Sequence, residues 1–114
     1  MNDSVSENIQ WLTVPDLVDQ LHLGVSRVRR LLDDHYLVGK RIDGVLKVPA
    51  DFVDGSEPVH ELHGTLIVLA DNGFTDEEAV DWLLTVEDSL GVSPIVALRA
   101  GRKAEVRRVA QALA

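Results

Sequence analysis

Asp43-Gly44 stands between two β-prone runs, Leu37-Val38-Gly39-Lys40-Arg41-Ile42 and Val45-Leu46-Lys47-Val48-Pro49. Both central residues of a type I′ turn need positive φ, which Gly adopts freely and Asp tolerates. The dipeptide therefore predicts a two-residue β-hairpin. Pro49 has no N–H to give a ladder and ends the second strand. The segment before the hairpin has helical spacing. Thr13-Val14-Pro15-Asp16 combines an N-cap residue, a first-turn proline and an acid suited to the positive helix end. Val14, Leu17, Val18 and Leu21 follow on one face. Leu23-Gly24-Val25 interrupts the pattern, with Gly24 expected as the left-handed cap residue. A second helix is expected from about Ser26 to Asp34, with Val25, Val28, Leu31 and Leu32 inward. Two short helices joined through a glycine turn make a helix-turn-helix, and a hairpin directly after it is a wing.

The second half is all helical in pattern. From Pro58, apolar residues recur at Val59, Leu62, Leu66, Leu69 and Ala70 until Asn72-Gly73. Thr75-Asp76-Glu77-Glu78 is a capping box, in which Thr75 and Glu78 satisfy each other's free backbone donors. It opens a helix bearing Ala79, Val80, Trp82, Leu83 and Leu84. Ser93-Pro94 starts another through Ile95, Val96 and Leu98. Gly101 breaks it before a last one with Val106, Val109, Ala110 and Leu113. Residues 1–10 are polar and aperiodic and read as a disordered tail. The expected fold is mainly α with a small β-hairpin: a winged helix-turn-helix at 11–57 packed on a four-helix C-terminal unit at 58–114.

Composition excludes several functions. With 46% apolar and only 4% aromatic residues, the core is built of Leu, Val, Ile and Ala. The absence of cysteine removes disulfides, thiolate zinc sites and cysteine nucleophiles, and fits a reducing compartment. MNDSVSENIQ has neither the basic nor the apolar region of a secretory leader, and no apolar run is long enough to span a bilayer. A cytoplasmic protein with no membrane association is expected. The net charge of −8 conceals strong asymmetry. Residues 25–47 hold Arg27, Arg29, Arg30, Lys40, Arg41 and Lys47 against three acids, whereas residues 48–92 hold eleven acids and no base. Phosphate affinity follows the local potential, so a basic island in an acidic body is compatible with binding DNA.

A recognition helix enters the major groove with its N-terminal residues toward base edges. Ser26, Arg27, Arg29 and Arg30 lie where such residues belong, and arginine can pair with guanine or clamp phosphate. Lys40, Arg41 and Lys47 on the wing would lie along the flanking backbone. Against this stands a plainer account, in which Arg27 and Arg30 solvate an exposed face and pair with Asp33 and Asp34. His60 and His63 are spaced for a metal but lack a third ligand, so a solvated helix start is expected. His22 and His35 fall at helix ends, where imidazoles can cap carbonyls. Asp76-Glu77-Glu78 is explained by capping rather than by acid–base chemistry. Gly39, Gly44 and Gly55 read as turn residues and form no phosphate loop. The basic last helix, with Arg102, Lys103, Arg107 and Arg108, reads as dipole complementation and solubility. Its alternatives are a second phosphate surface or a dock for the acidic segment of a neighbouring molecule. No cofactor and no enzymatic activity are expected.

TVPDLVDQLHLGVSRVRRLLDDHYLVGKRIDGVLKVPADFV resembles the winged helix-turn-helix of the mercury-resistance-regulator and excisionase superfamily. The block Leu62 to Leu84, with Asn72-Gly73-Phe74 and Trp82-Leu83, and the final Glu105-Val106-Arg107-Arg108-Val109-Ala110-Gln111-Ala112 extend the resemblance. Together they are similar to a small actinobacterial family that joins a winged helix to a helical C-terminal domain. The resemblance implies double-stranded DNA as partner and a role in transcription regulation or in the nucleoid. In at least one member a Ser/Thr kinase modifies a threonine of the N-terminal tail. Here no threonine precedes Thr13, and Ser4 and Ser6 are the tail's hydroxyls, so this regulation does not carry over residue by residue. A weaker resemblance links Trp82-Leu83, Leu90-Gly91-Val92-Ser93-Pro94, Leu98 and Val106 to the toxin-binding helices of certain antitoxins. It implies, as the alternative, a protein-interaction module acting through 58–114.

Overall fold

A computed structural model describes residues 9–113; Ser4 and Ser6 lie outside them. Thr13 caps the first helix, α1 (Val14–Leu21), through a capping box: its hydroxyl accepts from the Asp16 N–H, and the Asp16 carboxylate accepts from the Thr13 N–H at 2.9 Å. These bonds hold the Asp16 carboxyl below the usual carboxylate range. The helix ends where His22 turns left-handed at φ 58°. Gly24, expected to be that residue, is extended and serves as N-cap of α2 (Val25–Asp33). Leu21 and Leu23 both pack on the core, so the chain has to reverse between them, whichever residue stands there.

The Asp43-Gly44 hairpin forms as expected, with φ of 54° and 81°. Its strands β2 (Lys40–Ile42) and β3 (Val45–Pro49) pair Lys40 with Lys47, Arg41 with Leu46 and Ile42 with Val45. The wing has a third strand that periodicity did not reveal. β1 (Trp11–Leu12) lies antiparallel along the other edge of β3, and the Gln10 carbonyl accepts from the Ala50 N–H at 2.8 Å. Ile9 already packs against the core, so the tail expected over 1–10 does not extend that far. Gly39 is not a turn residue. It is buried where a β-carbon would stand 2.5 Å from the Lys47 carbonyl oxygen.

A 3-10 turn (Ala50–Phe52) leads to a second hairpin of β4 (Val53–Asp54) and β5 (Glu57–Pro58), closed at Gly55 with φ 64°. Helix was expected from Pro58 but begins at Leu62. Val59 belongs to the apolar series because it is buried beside Phe52, whose carbonyl accepts from the Val59 N–H. Four helices follow: α3 (Leu62–Asp71), α4 (Asp76–Leu84), α5 (Pro94–Arg99) and α6 (Lys103–Gln111). Thr75 and Glu78 form the expected box at the start of α4. One apolar cluster runs through both halves, from Leu17, Val28 and Leu37 through Phe52 to Leu62, Leu83 and Val106.

The cations of the last two helices are used inside the molecule. Arg99 donates to the Asp51 and Val53 carbonyls, tying α5 to the 3-10 turn. Arg102 bonds Glu105 and the Leu90 carbonyl, and Lys103 lies 3.6 Å from Glu61. Arg107 crosses α3 at Gly64, where a β-carbon would collide with its guanidinium, and donates to the Glu61 carbonyl. These contacts account for Arg102, Lys103 and Arg107; Arg108, the one unpaired cation of α6 among the described residues, lies exposed in its last turn, as dipole complementation expects. The Glu61 carboxyl is held below its ordinary range, first by its bond to His60 and then by Lys103.

Two outcomes follow for stability. Gly39→Ala meets backbone rather than a flexible side chain and should cost about 1–3 kcal/mol, read from the urea midpoint at unchanged slope. A carboxylate with a depressed pKa contributes stability above its ordinary range and loses it as pH falls. Acid titration of thermal stability below the ordinary glutamate value of 4.5 should therefore be flatter for Glu61→Gln than for the wild type.

Candidate nucleic-acid interface

At about 100° per residue, burial of Val28 on the inner face of α2 sends Ser26 and Arg30 to the opposite, solvent side. Arg29 and Arg27 then fall on its two flanks, and all four are exposed. The arginines fan across the helix instead of pointing one way. Arg29 lines a cleft of about 310 Å³ together with Arg41 of the wing and Thr13, Val14 and Pro15 at the start of α1. Arg27 and Arg30 line another of about 410 Å³ with Leu23, Asp34 and Tyr36.

The hairpin register divides the wing's cations. Side chains alternate across a strand, so Arg41 shares a face with Leu46, and Lys40 shares the opposite one with Lys47. Arg41 reaches back to the Gly44 carbonyl at 3.4 Å. Lys40 differs from the other five in having a partner, Asp81 of α4, at 2.8 Å. Among the described residues no carboxylate lies within ion-pair distance of Arg27, Arg29, Arg30, Arg41 or Lys47. Pairing of Arg27 and Arg30 with Asp33 and Asp34 does not occur. Among the described residues, five cations on one helix and one hairpin thus lack a carboxylate partner.

The histidines are placed differently from expectation. His22 and His35 do not cap carbonyls with their rings; both take left-handed backbone conformations, and the His35 ring lies 3.6 Å from Asp76. His60 is exposed and bonds Glu61, as a solvated helix start would. His63 instead faces the winged half. It stacks on Tyr36 with ring centres 3.9 Å apart and planes within 6°, and its Nδ1 bonds the His35 carbonyl at 3.0 Å. Among the described residues no three His, Cys, Asp or Glu side chains converge as a metal site. Tyr36 was missed by sequence reasoning, although it is the chain's sole tyrosine and directly follows the second helix. The start of α1 was missed as well, because only folding brings it beside the wing.

With this geometry in place, comparison with known proteins is informative. Residues 1–53 match the family described as DNA-binding protein Rv2175c, wHTH domain, and residues 59–114 match the Rv2175c C-terminal domain of unknown function. The DNA-binding protein Rv2175c of Mycobacterium tuberculosis (strain ATCC 25618 / H37Rv) is 33% identical, with 89% of this chain and 78% of that protein aligned. The chain belongs to the Rv2175c family. The NMR structure of Rv2175c superimposes with a TM-score of 0.86 at 30% identity, covering 99% of this chain and 86% of that one. The family is that of a winged helix with an added helical domain, as the sequence resemblance implied.

The Tyr36–His63 stack joins the two Rv2175c-type halves beside α2. Replacing His63 with Ala should lower unfolding stability by about 0.5–1.5 kcal/mol beyond the loss of buried area. A double-mutant cycle with Tyr36→Ala measures that coupling.

Proposed function

We propose that this chain is a DNA-binding protein, not an enzyme, that sets α2 into the major groove with the β2–β3 hairpin as wing. The observation that carries this is the set of five cations on these two elements that have no carboxylate partner among the described residues, in a chain with net charge −8. In an acidic protein, cations kept clear of the abundant carboxylates create the local positive potential that phosphate requires. Ser26 and Arg30, on the exposed side of α2, are the candidates for base edges, with arginine suited to guanine. Arg29 and Arg41 across their cleft suit a phosphate between helix and wing, and Arg27 and Lys47 suit the flanking backbone. Double-stranded DNA as ligand implies a cytoplasmic site of action and a role in transcription or in nucleoid organisation. A Ser/Thr kinase acting on Ser4 or Ser6 would weaken binding, because each phosphate adds about −1.5 to −2 charge to an acidic chain.

The test is retardation of a random duplex pool across a salt series. Wild-type affinity should fall linearly in log–log form, with a slope that each lost phosphate contact reduces by about 0.9. Arg29→Ala with Arg41→Ala should lower affinity at every sequence. Arg27→Ala with Arg30→Ala should also abolish retardation at low protein concentration. Binding untouched by both pairs would show that α2 is not the recognition helix.

A further inference from the structure

We propose that the helical C-terminal domain restrains the wing electrostatically: Asp81 of α4 holds Lys40 away from DNA, so the wing engages with fewer cations than it carries. This rests on the DNA-binding reading above and assigns a role to a domain described as of unknown function.

Three observations carry it. Lys40 is the one cation of α2 and the wing that is ion-paired among the described residues, and its partner comes from the other half of the chain, 41 positions away. The Nζ–Oδ1 distance is 2.8 Å; the Lys40 side chain is 26% exposed and that of Asp81 61%. The pair is therefore open to competing ions. Second, Lys40 lies directly across the ladder from Lys47. Like charges in that position repel, so Lys40 has reason to accept an acid when no DNA is present. Third, the flank where α4 meets the wing carries three acids. A cleft of about 330 Å³ is lined by Asp33, Asp76 and Glu77 beside Lys40 and Arg41. A duplex phosphate approaching that side meets these carboxylates beside Lys40. The same acids repel the duplex from α4, which directs it toward the Arg29–Arg41 cleft.

Lys40 is thus a conditional contact. Paired with Asp81, it contributes little to DNA affinity; released, it adds one phosphate contact. The experiment is duplex-DNA titration of the full chain, as wild type, Asp81→Asn, Lys40→Gln and the double variant, across a salt series. Thermal melts accompany each variant to establish folding. Asp81→Asn should tighten binding several-fold at low salt and steepen the log–log slope by about 0.9, one further released counterion. Lys40→Gln should weaken binding more in the Asp81→Asn background than in the wild type. Glu77→Gln, which removes the same charge nearby without touching Lys40, should produce a smaller gain that persists in the Lys40→Gln background. Equal tightening by Asp81→Asn with and without Lys40 would overturn the proposal, since the effect would then be the field of Asp81 alone. Wild-type binding that Arg29→Ala with Arg41→Ala removes, together with no Lys40–Asp81 coupling, defeats this inference and leaves the DNA reading standing. No salt-dependent binding by the wild type defeats both.

Discussion

Phe52 is the point on which the two halves of the molecule depend. Its side chain is fully buried, and its backbone lies in the short 3-10 turn between the wing and the helical half. Burial of such an aromatic side chain contributes roughly 1.5–3 kcal/mol, but position makes it more important than that figure. The residues around it are fixed by bonds from three directions. The Ala50 N–H reaches the Gln10 carbonyl, the Val59 N–H reaches the Phe52 carbonyl, and Arg99 donates to the carbonyls of Asp51 and Val53. The N-terminal strand, the second hairpin and α5 are thereby registered against one another. The angle between α2 and the wing, and hence the Arg29–Arg41 cleft, inherits that registration through β3.

Charge in this protein is organised by segregation more than by quantity. Nineteen acids against eleven Lys and Arg would neutralise any randomly placed base. Arg99, Arg102, Lys103 and Arg107 are indeed bound by carbonyls or carboxylates, as is Lys40. Among the described residues those on α2 and Lys47 are not, and Arg41 reaches only the Gly44 carbonyl of its own turn. The difference is geometric. The acids of 48–92 fall on α4 and the loop after it, on the 3-10 turn and the second hairpin, and at the two ends of α3, whereas the exposed face of α2 has only Asp33 and Asp34 near its end. Exposed pairs are worth little individually, so what matters for a polyanion is that no carboxylate competes at close range.

Much of the fold was legible because its signals are local. The Asp43-Gly44 turn, the capping boxes at Thr13 and Thr75 and the proline at Pro94 each depend on residues within four positions of one another. The elements missed depend on distant partners. Trp11-Leu12 is a strand only because Val48 and Pro49 lie beside it, and Pro58 is a strand end only because it faces Val53. Gly39 looked like a turn residue, yet its role is close approach to Lys47, which neighbours in sequence cannot reveal. The candidate site was legible in part: its cations lie on the elements expected, but their directions were not readable. Lys40 and Arg41 are adjacent in the chain and opposite in orientation, a consequence of register.

By itself, the sequence determined the two helices and the Asp43-Gly44 hairpin of the winged half, the absence of cysteine chemistry and the concentration of bases between residues 25 and 47. These follow from propensity, capping and composition, which act over a few bonds. Only the tertiary structure decided which of those bases are free. It placed Asp81 beside Lys40, set Arg102 and Arg107 on partners within the protein and opposed Arg29 to Arg41, because ion pairing is settled by distance in space. A chain's charge can be counted from its letters. Its availability to a ligand is decided when folding assigns each cation a neighbour or leaves it without one.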